Sequence, residues 1–365
     1  MLAIILGTRP EIIKTAPIIL EALRRNLPIG IIHTGQHYTA ELDEIFFQEL
    51  NLPAPLAHIH VGSHPPARQI GLMMQRLEEV LRDIQPSAVL VQGDTNTVLA
   101  GALTAHKMGI PIAHLEAGLR SDDWSMPEEA NRILADRLSD WLFCPTDLQR
   151  DRLAQEGITH AGVHVVGNTI VDAALHYSKV AYEKSDIAER LQIANRPYAL
   201  LTMHRPSNVD DLPRLEAWMR TISQVARELD LQIVFPIHPR TKGQLDQANI
   251  SLDKNFFTAI EPVGYLDLLR LQASADVVLT DSGGLQEEAC ILRVPCVTLR
   301  ANTERPETLH VGANQLHAIP DADSLLAVLE TARKKPRDWT NPFGDGQTSQ
   351  RVVDILYKNN LGPSV

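Results

Sequence analysis

The stretch LAIILGTRPEIIK, residues 2–14, joins an apolar run to a turn and then to the start of a helix. The run at residues 2–6 is uniformly apolar, as expected of a strand buried on both faces of a parallel sheet. Pro10 then stands where helices favour proline, in their first turn. Because parallel strands are joined by crossover helices, this strand–turn–helix unit predicts an α/β fold.

The same alternation of apolar runs and helical patterns continues along the chain. A first series of strands is expected at residues 2–6, 30–34, 88–92, 111–114 and 141–144. A second series is expected to begin at 163–166 and to continue at 198–202, 232–236, 256–260, 276–280 and 295–299. This rhythm predicts two Rossmann-like doubly wound domains, residues 1–167 and 168–347, facing a central cleft. We expect a C-terminal helix, residues 348–365, to pack back on the first domain.

Length, charge and cysteine usage narrow the classes of function. The 365 residues exceed one comfortable core, and the net charge of -11 argues against binding to nucleic acid or to an anionic membrane surface. No apolar run reaches the roughly 18 residues of a membrane span, and the first residues lack the features of a signal peptide. The three cysteines (Cys144, Cys290 and Cys296) have no metal-site spacing. A cytoplasmic protein without a structural metal is therefore expected.

Two segments read as phosphate-binding starts of helices. GTRPEIIK at 7–14 places Arg9 and Lys14 about one turn apart after a strand. DSGGLQEE at 281–288 follows another strand, and Ser282, Gly283 and Gly284 allow backbone N–H groups to approach an anion. Neither segment matches the dinucleotide-binding or the Walker motif. Together the two segments predict one diphosphate held between two halves of the chain.

Acidic side chains follow three neighbouring elements of the first half. Asp94 comes after one strand, Glu116 after the next, and Glu128 opens a helix together with Glu129. Each has a simpler interpretation: Asp94 as a helix cap, Glu116 as half of a surface ion pair, and both helix acids as partners of the helix dipole. Glu128 also stands four residues before Arg132, the spacing of a helical salt bridge. Their clustering favours acid–base chemistry.

The second half carries basic residues where strands end. His204 and Arg205 follow one expected strand, and His238 follows the next. Arg305, before a proline, is either a loop anchor or a phosphate contact. A lone histidine is more often structural than catalytic. His204 and His238 differ from the other histidines because they follow the ends of expected strands.

Taken together, the motifs of this chain resemble those of the non-hydrolysing UDP-N-acetylglucosamine 2-epimerases. The resemblance rests on segments that occur in family order over nearly the whole chain. They are GTRPEIIK at 7–14, TGQH at 34–37, QGDTNT at 92–97, HLEAGLRS at 114–121, PEEANR at 127–132, HRPSN at 204–208, HPR at 238–240, DSGGLQEEA at 281–289 and TERPE at 303–307.

The resemblance implies a fold similar to that of the GT-B glycosyltransferases, a homodimer, and interconversion of UDP-GlcNAc and UDP-ManNAc without a cofactor. In this family the C2 hydrogen is removed as UDP leaves C1, which gives 2-acetamidoglucal; a proton then returns to the opposite face as UDP re-adds. The resemblance assigns catalysis to Asp94, Glu116, Glu128 and His204. The substrate-binding residues that it and the motifs suggest are Arg9, Lys14, Gln36, His37, Arg132, Arg205, His238, Ser282, Gly283, Gly284, Glu288 and Arg305.

Other activities share parts of this pattern. Relatives that epimerise a UDP-diacetamido uronic acid have similar motifs, and HRPSN at 204–208 departs from the HRREN of many family members. A GT-B-like glycosyltransferase would use the same nucleotide site but transfer the sugar to an acceptor. A hydrolysing epimerase would release free ManNAc, and a nucleotide-sugar sensor would bind without turnover. The identity of the product separates these alternatives.

Overall fold

The computed structural model describes residues 1–36, 40–124, 126–193 and 196–358. The chain divides into two compact units, the first made of Met1–Ala173 with Phe343–Val365 and the second of Ala174–Pro342. The sequence predicts a first domain that ends at residue 167, whereas the structure divides the chain after residue 173. Backbone hydrogen bonds explain the difference, because Val166 N donates to Cys144 O (3.1 Å) and Asn168 N donates to Phe343 O (2.8 Å) within the first unit.

In the described part of the first unit, seven parallel strands form one sheet in the order β3-β2-β1-β4-β5-β6-β7. The strands are β1 (Leu2–Leu6), β2 (Ile29–His33), β3 (Ala57–His58), β4 (Ala88–Gln92), β5 (Ile112–Leu115), β6 (Trp141–Cys144) and β7 (Val163–Val165). The assignment of residues 163–166 to the second series is wrong, because β7 pairs with β6 of this sheet. This strand order is that of doubly wound nucleotide-binding folds.

Helices cover both faces of this sheet. They are α1 (Arg9–Arg24), α2 (Ala40–Glu49), α3 (Pro66–Ile84), α4 (Asn96–Lys107), α5 (Pro127–Leu138), α6 (Asp147–Gln155) and α7 (Thr169–Lys184), which extends into the second unit. Ala3 and Ile5 of β1 pack in one cluster with Met73 of α3 and Val98 of α4. The alternate residues of β1 face the other side and are equally buried. This double burial is the physical reason for the uniformly apolar strand.

The second unit repeats the architecture, with six parallel strands among its described residues in the order β10-β9-β8-β11-β12-β13. Its strands are β8 (Tyr198–Thr202), β9 (Gln232–Pro236), β10 (Phe257–Ile260), β11 (Val277–Thr280), β12 (Cys296–Thr298) and β13 (Asn314–Leu316). Its helices are α8 (Ile187–Arg190), α9 (Pro206–Val209), α10 (Leu212–Glu228), α11 (Pro239–Gln247), α12 (Tyr265–Ser274), α13 (Gly283–Ile291), α14 (Pro306–His310) and α15 (Ala322–Lys334). None of the helices found in the described ranges is long and apolar enough to cross a bilayer.

The C-terminal helix, α16 (Thr348–Lys358), returns to the first unit. It packs along α1, where Asp354 Oδ1 lies 2.6 Å from Arg25 Nη1 and the Tyr357 hydroxyl donates to Pro28 O at 2.9 Å. Its start is fixed by Asp172, whose carboxylate accepts hydrogen bonds from Ser349 N (2.8 Å) and Oγ (2.7 Å). The sequence predicts a helix at residues 348–365 that packs on the first domain; α16 covers the first eleven of these residues, and residues 359–365 lie outside the described ranges.

Candidate active site

Glu116, directly after β5, is the most firmly anchored of the predicted catalytic carboxylates. Its Oε1 accepts hydrogen bonds from Lys14 Nζ (2.5 Å) and Asn168 Nδ2 (2.8 Å), and its Oε2 accepts one from Gln92 Nε2 (2.7 Å). Its backbone has a φ of +66°, in the left-handed region that residues with a Cβ rarely adopt. Such strain persists only where the surroundings enforce it, and it clusters at functional sites. The carboxylate of Glu116 is thus fixed in one position.

Asp94 lies in the turn between β4 and α4 and is held by Arg132 of α5. Arg132 donates to Asp94 Oδ2 from Nε (3.0 Å) and from Nη2 (2.6 Å). The Asp94 side chain remains one-third exposed (33%), so part of the carboxylate faces solvent. The helix-cap interpretation fails here, because Thr95 caps α4 through its hydroxyl. Asp94 is therefore positioned by a cation and is open to a ligand.

The neighbouring acids Glu128 and Glu129 have different environments. Glu129 is buried and accepts hydrogen bonds from Ser121 N (2.9 Å), Ser121 Oγ (2.7 Å) and Arg132 Nη1 (2.7 Å). Burial alone would raise the pKa of Glu129, but these donors outweigh it and lower that pKa. Glu128 is half-buried and has no hydrogen-bond or ion-pair partner within the described part of the chain. Glu129 builds the turn, and Glu128 is available for chemistry.

Two backbone amides at the start of α1 already donate to a side chain. The carboxylate of Glu11 accepts hydrogen bonds from Gly7 N (2.7 Å) and Thr8 N (2.8 Å), and also one from the Thr95 hydroxyl. Burial outweighs these bonds and raises the pKa of Glu11 to about 7. Glu11 therefore occupies the Gly7 and Thr8 amides, and binding of a phosphate at this turn stays a prediction. Lys14, in the same helix, pairs with Glu116.

Two other predicted ligand-binding residues lie near this turn. The Arg9 guanidinium stands 5.3 Å from the centre of the Phe46 ring, in a cation–π contact. Gln36 Oε1 accepts a hydrogen bond from Thr97 Oγ1 at 2.8 Å, which ties the loop after β2 to α4. His37 lies outside the described residues.

In the second unit, Asp281 organises the loop that carries His204 and Arg205. Its carboxylate is fully buried and accepts hydrogen bonds from His204 N (3.1 Å), Arg205 N (2.9 Å) and Asn208 Nδ2 (3.2 Å). His204 Nδ1 lies 3.1 Å from Asp281 Oδ1. Burial would raise the pKa of Asp281, but these contacts outweigh it and lower that pKa. The His204 ring therefore has a fixed carboxylate beside one nitrogen.

His238 stands beside His204, with the two ring centres 5.5 Å apart. It caps α11, because its Nδ1 accepts a hydrogen bond from Arg240 N at 3.2 Å. The nearby Arg205 is half-buried, and its Nε is a buried donor without a hydrogen-bond acceptor in the described ranges. A buried donor of this kind is costly unless a ligand accepts its hydrogen bond.

The start of α13 differs from that of α1, since it has no acidic residue in its first turn and no side-chain cap. A Cβ atom on Gly284 would meet no other atom within 4 Å. A Cβ atom on Gly283 would have Glu304 Oε2 as its neighbour, at 3.8 Å. Burial would raise the pKa of Glu304, but Arg300 dominates and lowers it to about 2. The start of this helix thus has room for an anion at its glycines.

Two predicted ligand contacts deeper in this unit are already paired. Glu288 is buried and accepts a hydrogen bond from the Tyr265 hydroxyl at 3.0 Å. Arg305 Nε lies 2.7 Å from Glu287 Oε1. The loop-anchor interpretation of Arg305 is therefore supported, and its contact with a phosphate stays a prediction.

Within each unit the predicted residues cluster, but several of their partners were not predicted. Gln92 and Asp281 stand in quoted motifs, and their adjacency to candidate residues was the available signal. Asn168 was missed, because nothing local in the sequence indicates that it reaches Glu116. Glu11 was missed although Thr8 and Glu11 have the spacing of a helix capping box, which was the available signal. The Asn168–Glu116 contact depends on which distant parts of the chain the fold brings together.

Comparisons with known proteins agree with this geometry. A family model described as UDP-N-acetylglucosamine 2-epimerase matches residues 21–357. The UDP-N-acetylglucosamine 2-epimerase of Methanocaldococcus jannaschii is 49% identical over 360 residues, which cover 97% of this chain and 98% of the relative. A crystal structure of the M. jannaschii enzyme in complex with UDP-GlcNAc and UDP matches with a TM-score of 0.89, covering 98% of this chain and 99% of that one. The predicted α/β fold of two doubly wound domains is confirmed.

A relative with a different sugar is also similar to this chain. The UDP-2,3-diacetamido-2,3-dideoxy-D-glucuronate 2-epimerase of Pseudomonas aeruginosa is 39% identical over 364 residues, which cover 97% of this chain and 98% of that protein. Both relatives bear names that describe inversion at C2 of a UDP-sugar.

Proposed function

The chain belongs to the UDP-N-acetylglucosamine 2-epimerase family, and on this premise we propose that it interconverts UDP-GlcNAc and UDP-ManNAc by inversion at C2. The observation in this chain that carries the proposal is the set of three acids (Asp94, Glu116 and Glu128) in three different environments. One is fixed by three donors, one is held by an arginine, and one has no partner in the described ranges. Acid–base chemistry needs such differences, since one group must give a proton while another takes one.

The proposed route is elimination followed by re-addition. The C2 proton passes to a carboxylate while the C1–O bond breaks and its electron pair leaves with UDP, which gives 2-acetamidoglucal. Protonation of the opposite face of C2, with UDP returning to C1, gives the epimer. Direct removal of the C2 proton would face a high barrier, because no neighbouring ketone acidifies it. Atoms and electrons balance without an oxidant or reductant.

Residue roles follow from the local contacts. Glu116 is held in one orientation by N–H donors on both oxygens, and we propose it as one of the acid–base groups. Asp94 and Glu128 are partly accessible, and we propose them as the other acid–base groups. His204, which Asp281 orients in the second unit, is proposed as a hydrogen-bond donor or proton carrier toward the substrate.

We propose that the diphosphate binds at the start of α13. Support comes from the open space at Gly284 and the absence of an internal acid in the first turn of that helix. Helix N-termini attract anions through their free N–H groups and the helix dipole. The buried Nε of Arg205 is a further donor suited to a phosphate oxygen. Stabilised in this way, UDP is a good leaving group.

The experiment that tests the proposal is a proton NMR time course with UDP-GlcNAc in deuterated water. We expect UDP-ManNAc to appear, with deuterium at C2 of both epimers, because the proton that returns comes from an exchangeable carboxyl group. Free ManNAc would contradict the proposal and indicate hydrolysis. An unchanged spectrum would contradict UDP-GlcNAc as the substrate.

The second candidate substrate is a UDP-2,3-diacetamido-2,3-dideoxy uronic acid. The 39% identity to the P. aeruginosa relative favours testing it in the same assay. If this sugar nucleotide were turned over faster than UDP-GlcNAc, the proposed substrate would change to the diacetamido uronic acid, and the proposed mechanism would stay the same. The homodimer implied by the family resemblance stays a prediction that light scattering would check.

A further inference from the structure

Behind the strand ends that carry Asp94 and Glu116 lies a buried pair, His114 of β5 and Asp136 of α5, each only 1% exposed. His114 Nδ1 lies 2.7 Å from Asp136 Oδ1. The other ring nitrogen, Nε2, lies 2.8 Å from the carbonyl oxygen of Gly93. Both nitrogens of one buried imidazole therefore face oxygen atoms.

The chemistry of these oxygens fixes the protons on the ring. A carbonyl oxygen only accepts hydrogen bonds, so Nε2 of His114 carries a proton. Asp136 Oδ2 accepts a hydrogen bond from Gly118 N (3.1 Å) and lies 2.8 Å from Arg120 Nη1, and both contacts favour an ionised carboxylate. An ionised carboxylate beside Nδ1 requires a proton there too. His114 is then an imidazolium.

We propose that His114 is a permanently protonated positioning residue, which together with Asp136 fixes the two turns that carry Asp94 and Glu116. The imidazolium holds the carbonyl of Gly93, the residue before Asp94. Asp136 holds the amide of Gly118, two residues after Glu116. One ion pair thus tethers both turns to α5.

The backbone at these turns explains why a tether is needed. Gly93 and Gly118 have φ values of +84° and +80°, and Glu116 between them has +66°. A Cβ atom on Gly118 would lie 2.5 Å from Gln149 O, so this turn is also tightly packed. Glycine adopts such values without strain, whereas a left-handed Glu116 persists only where neighbouring groups enforce it. The side chain of Arg132 lies one helical turn before Asp136 on α5 and donates a hydrogen bond directly to the Asp94 carboxylate.

The charges around His114 support a lasting positive charge. Asp136 and Glu116 face His114, while Arg120 faces Asp136, and Arg120 also pairs with Glu156 at 2.7 Å. Burial would lower the pKa of His114, but the hydrogen bond and charge of Asp136 outweigh it and raise that pKa above its ordinary value. The thiol of Cys144 faces Asp136 too, and burial raises its pKa to about 12, so it adds no charge at neutral pH.

The charge of His114 is tested on the unmodified protein by nitrogen NMR after labelling of histidine with ¹⁵N. We expect one imidazole to keep both nitrogens protonated at pH values well above the ordinary histidine pKa of about 6.5. The His114→Gln variant should lack that signal, which assigns it. A neutral tautomer at His114 near pH 7 would overturn the proposal. Because this reading needs no turnover, it stands apart from the proposed epimerase activity.

The positioning role rests on the proposed function and is tested by kinetics on Asp136→Asn. We expect kcat to fall on the order of tenfold to a hundredfold, since misplaced catalytic groups cost rate more than binding, with KM nearly unchanged. The pH profile of the variant should gain a step as His114 becomes titratable. Absence of turnover in the wild type would contradict the proposed function, and the NMR reading would still decide the charge.

Asp140→Asn is the matched control. Asp140 accepts a hydrogen bond from Ile112 N at 2.8 Å, at the opposite end of β5 from the proposed site. This variant should keep the wild-type kcat and pH profile even if it unfolds more easily. Equal effects of Asp136→Asn and Asp140→Asn on kcat and on the pH profile would mean that the His114–Asp136 pair only stabilises the fold, and would overturn the positioning role.

Discussion

Helices α1 and α13 follow central strands of two similar sheets, yet their N-termini are satisfied in different ways. At α1 the carboxylate of Glu11 accepts hydrogen bonds from the Gly7 and Thr8 amides at 2.7 and 2.8 Å. At α13 the first turn holds no acid, and a Cβ atom on Gly284 would meet open space. The same strand–turn–helix pattern thus builds two kinds of turn. We call the turn before α1 closed, because Glu11 occupies its Gly7 and Thr8 amides, and the turn before α13 open, because no acidic side chain lies in the first turn of that helix.

The difference separates residues that build the site from residues that await a ligand. A donor or acid whose loss leaves an internal partner unsatisfied contributes to stability, whether or not it also takes part in the reaction. A group that folding leaves without a partner costs free energy unless a ligand completes it. Each of the following variants tests one side of this distinction.

The largest effect is expected at Glu128, the acid without a partner in the described part of the chain. Glu128→Gln should lower turnover by about 10² to 10⁴-fold, as expected for an acid–base group, and leave the free energy of unfolding nearly unchanged. Turnover and urea unfolding of the purified variant check both expectations.

Glu129→Gln is the matched control for Glu128→Gln. It weakens the contacts of Glu129 with Ser121 and Arg132, and should lower the free energy of unfolding by about 1–3 kcal/mol. If Glu128→Gln destabilised the fold while keeping full turnover, the assignment of Glu128 to chemistry would be wrong.

Glu11→Gln tests the closed turn through the pH dependence of stability. The pKa of Glu11 is raised from 4.5 to about 7, chiefly by burial. Glu11 therefore stabilises the fold at pH below 4.5, and that contribution is lost as the pH rises through about 7. The loss amounts to roughly 3 kcal/mol at about 1.4 kcal/mol per pKa unit. The variant should lack this loss when unfolding is followed by denaturant from acid to alkaline pH.

Glu21 of the same helix gives a control of opposite sign. The hydrogen bond from Arg24 dominates over burial and lowers the pKa of Glu21, so its contribution to stability is lost as the pH falls. Glu21→Gln should alter only the acid side of the stability curve. Parallel curves for the wild type and Glu11→Gln would show that Glu11 does not titrate as proposed.

The sequence predicts the elements that follow from a local pattern, and it misses the side-chain contacts that depend on the order of the strands in the sheet. Strand β1 has the expected bounds because its uniformly apolar run is a local signal, and α16 begins at the expected residue because its apolar side chains recur at helical spacing. Strand β3 has two residues (Ala57 and His58), too few to show any period. Glu116 was predicted as a functional carboxylate, yet its partners lie 102, 52 and 24 positions away in the chain. Only the strand order decides which of them meet.

Gly284→Ala tests the open turn. The added Cβ meets no atom of the protein, so the fold should gain up to about 1 kcal/mol from a better helix former. The same atom would occupy the space proposed for a phosphate, and we expect the Kd for UDP to rise about tenfold, or about 1.4 kcal/mol. Calorimetric titration with UDP checks this.

Gly243→Ala is the matched control for Gly284→Ala, because Gly243 also stands in a helix, α11, with no atom near its Cβ position. It should gain similar stability without any change in UDP affinity. If Gly284→Ala bound UDP as tightly as Gly243→Ala, the open turn would not be the phosphate site.

The smallest effect on UDP binding is expected from a change in the orientation of Arg9. Arg9 lies at the start of α1 and has no acidic partner among the described residues. Its guanidinium is oriented by the Phe46 ring at 5.3 Å, a contact of about 0.5–1 kcal/mol. Phe46→Leu should therefore raise the Kd for UDP only about two- to fivefold, and less than Arg9→Ala does. Phe47→Leu, whose ring contacts His33 instead, removes an equally buried ring and should leave the Kd unchanged.

A double-mutant cycle of Arg9→Ala and Phe46→Leu separates orientation from charge, because Phe46→Leu should have no further effect once the guanidinium is gone. That outcome would mean that α1 contributes a cation to the nucleotide although its amides are closed. If Arg9→Ala left UDP binding intact, α1 would contribute nothing to the nucleotide. The contrast with α13 would then be complete, since one helix start would serve only the fold and the other only the ligand.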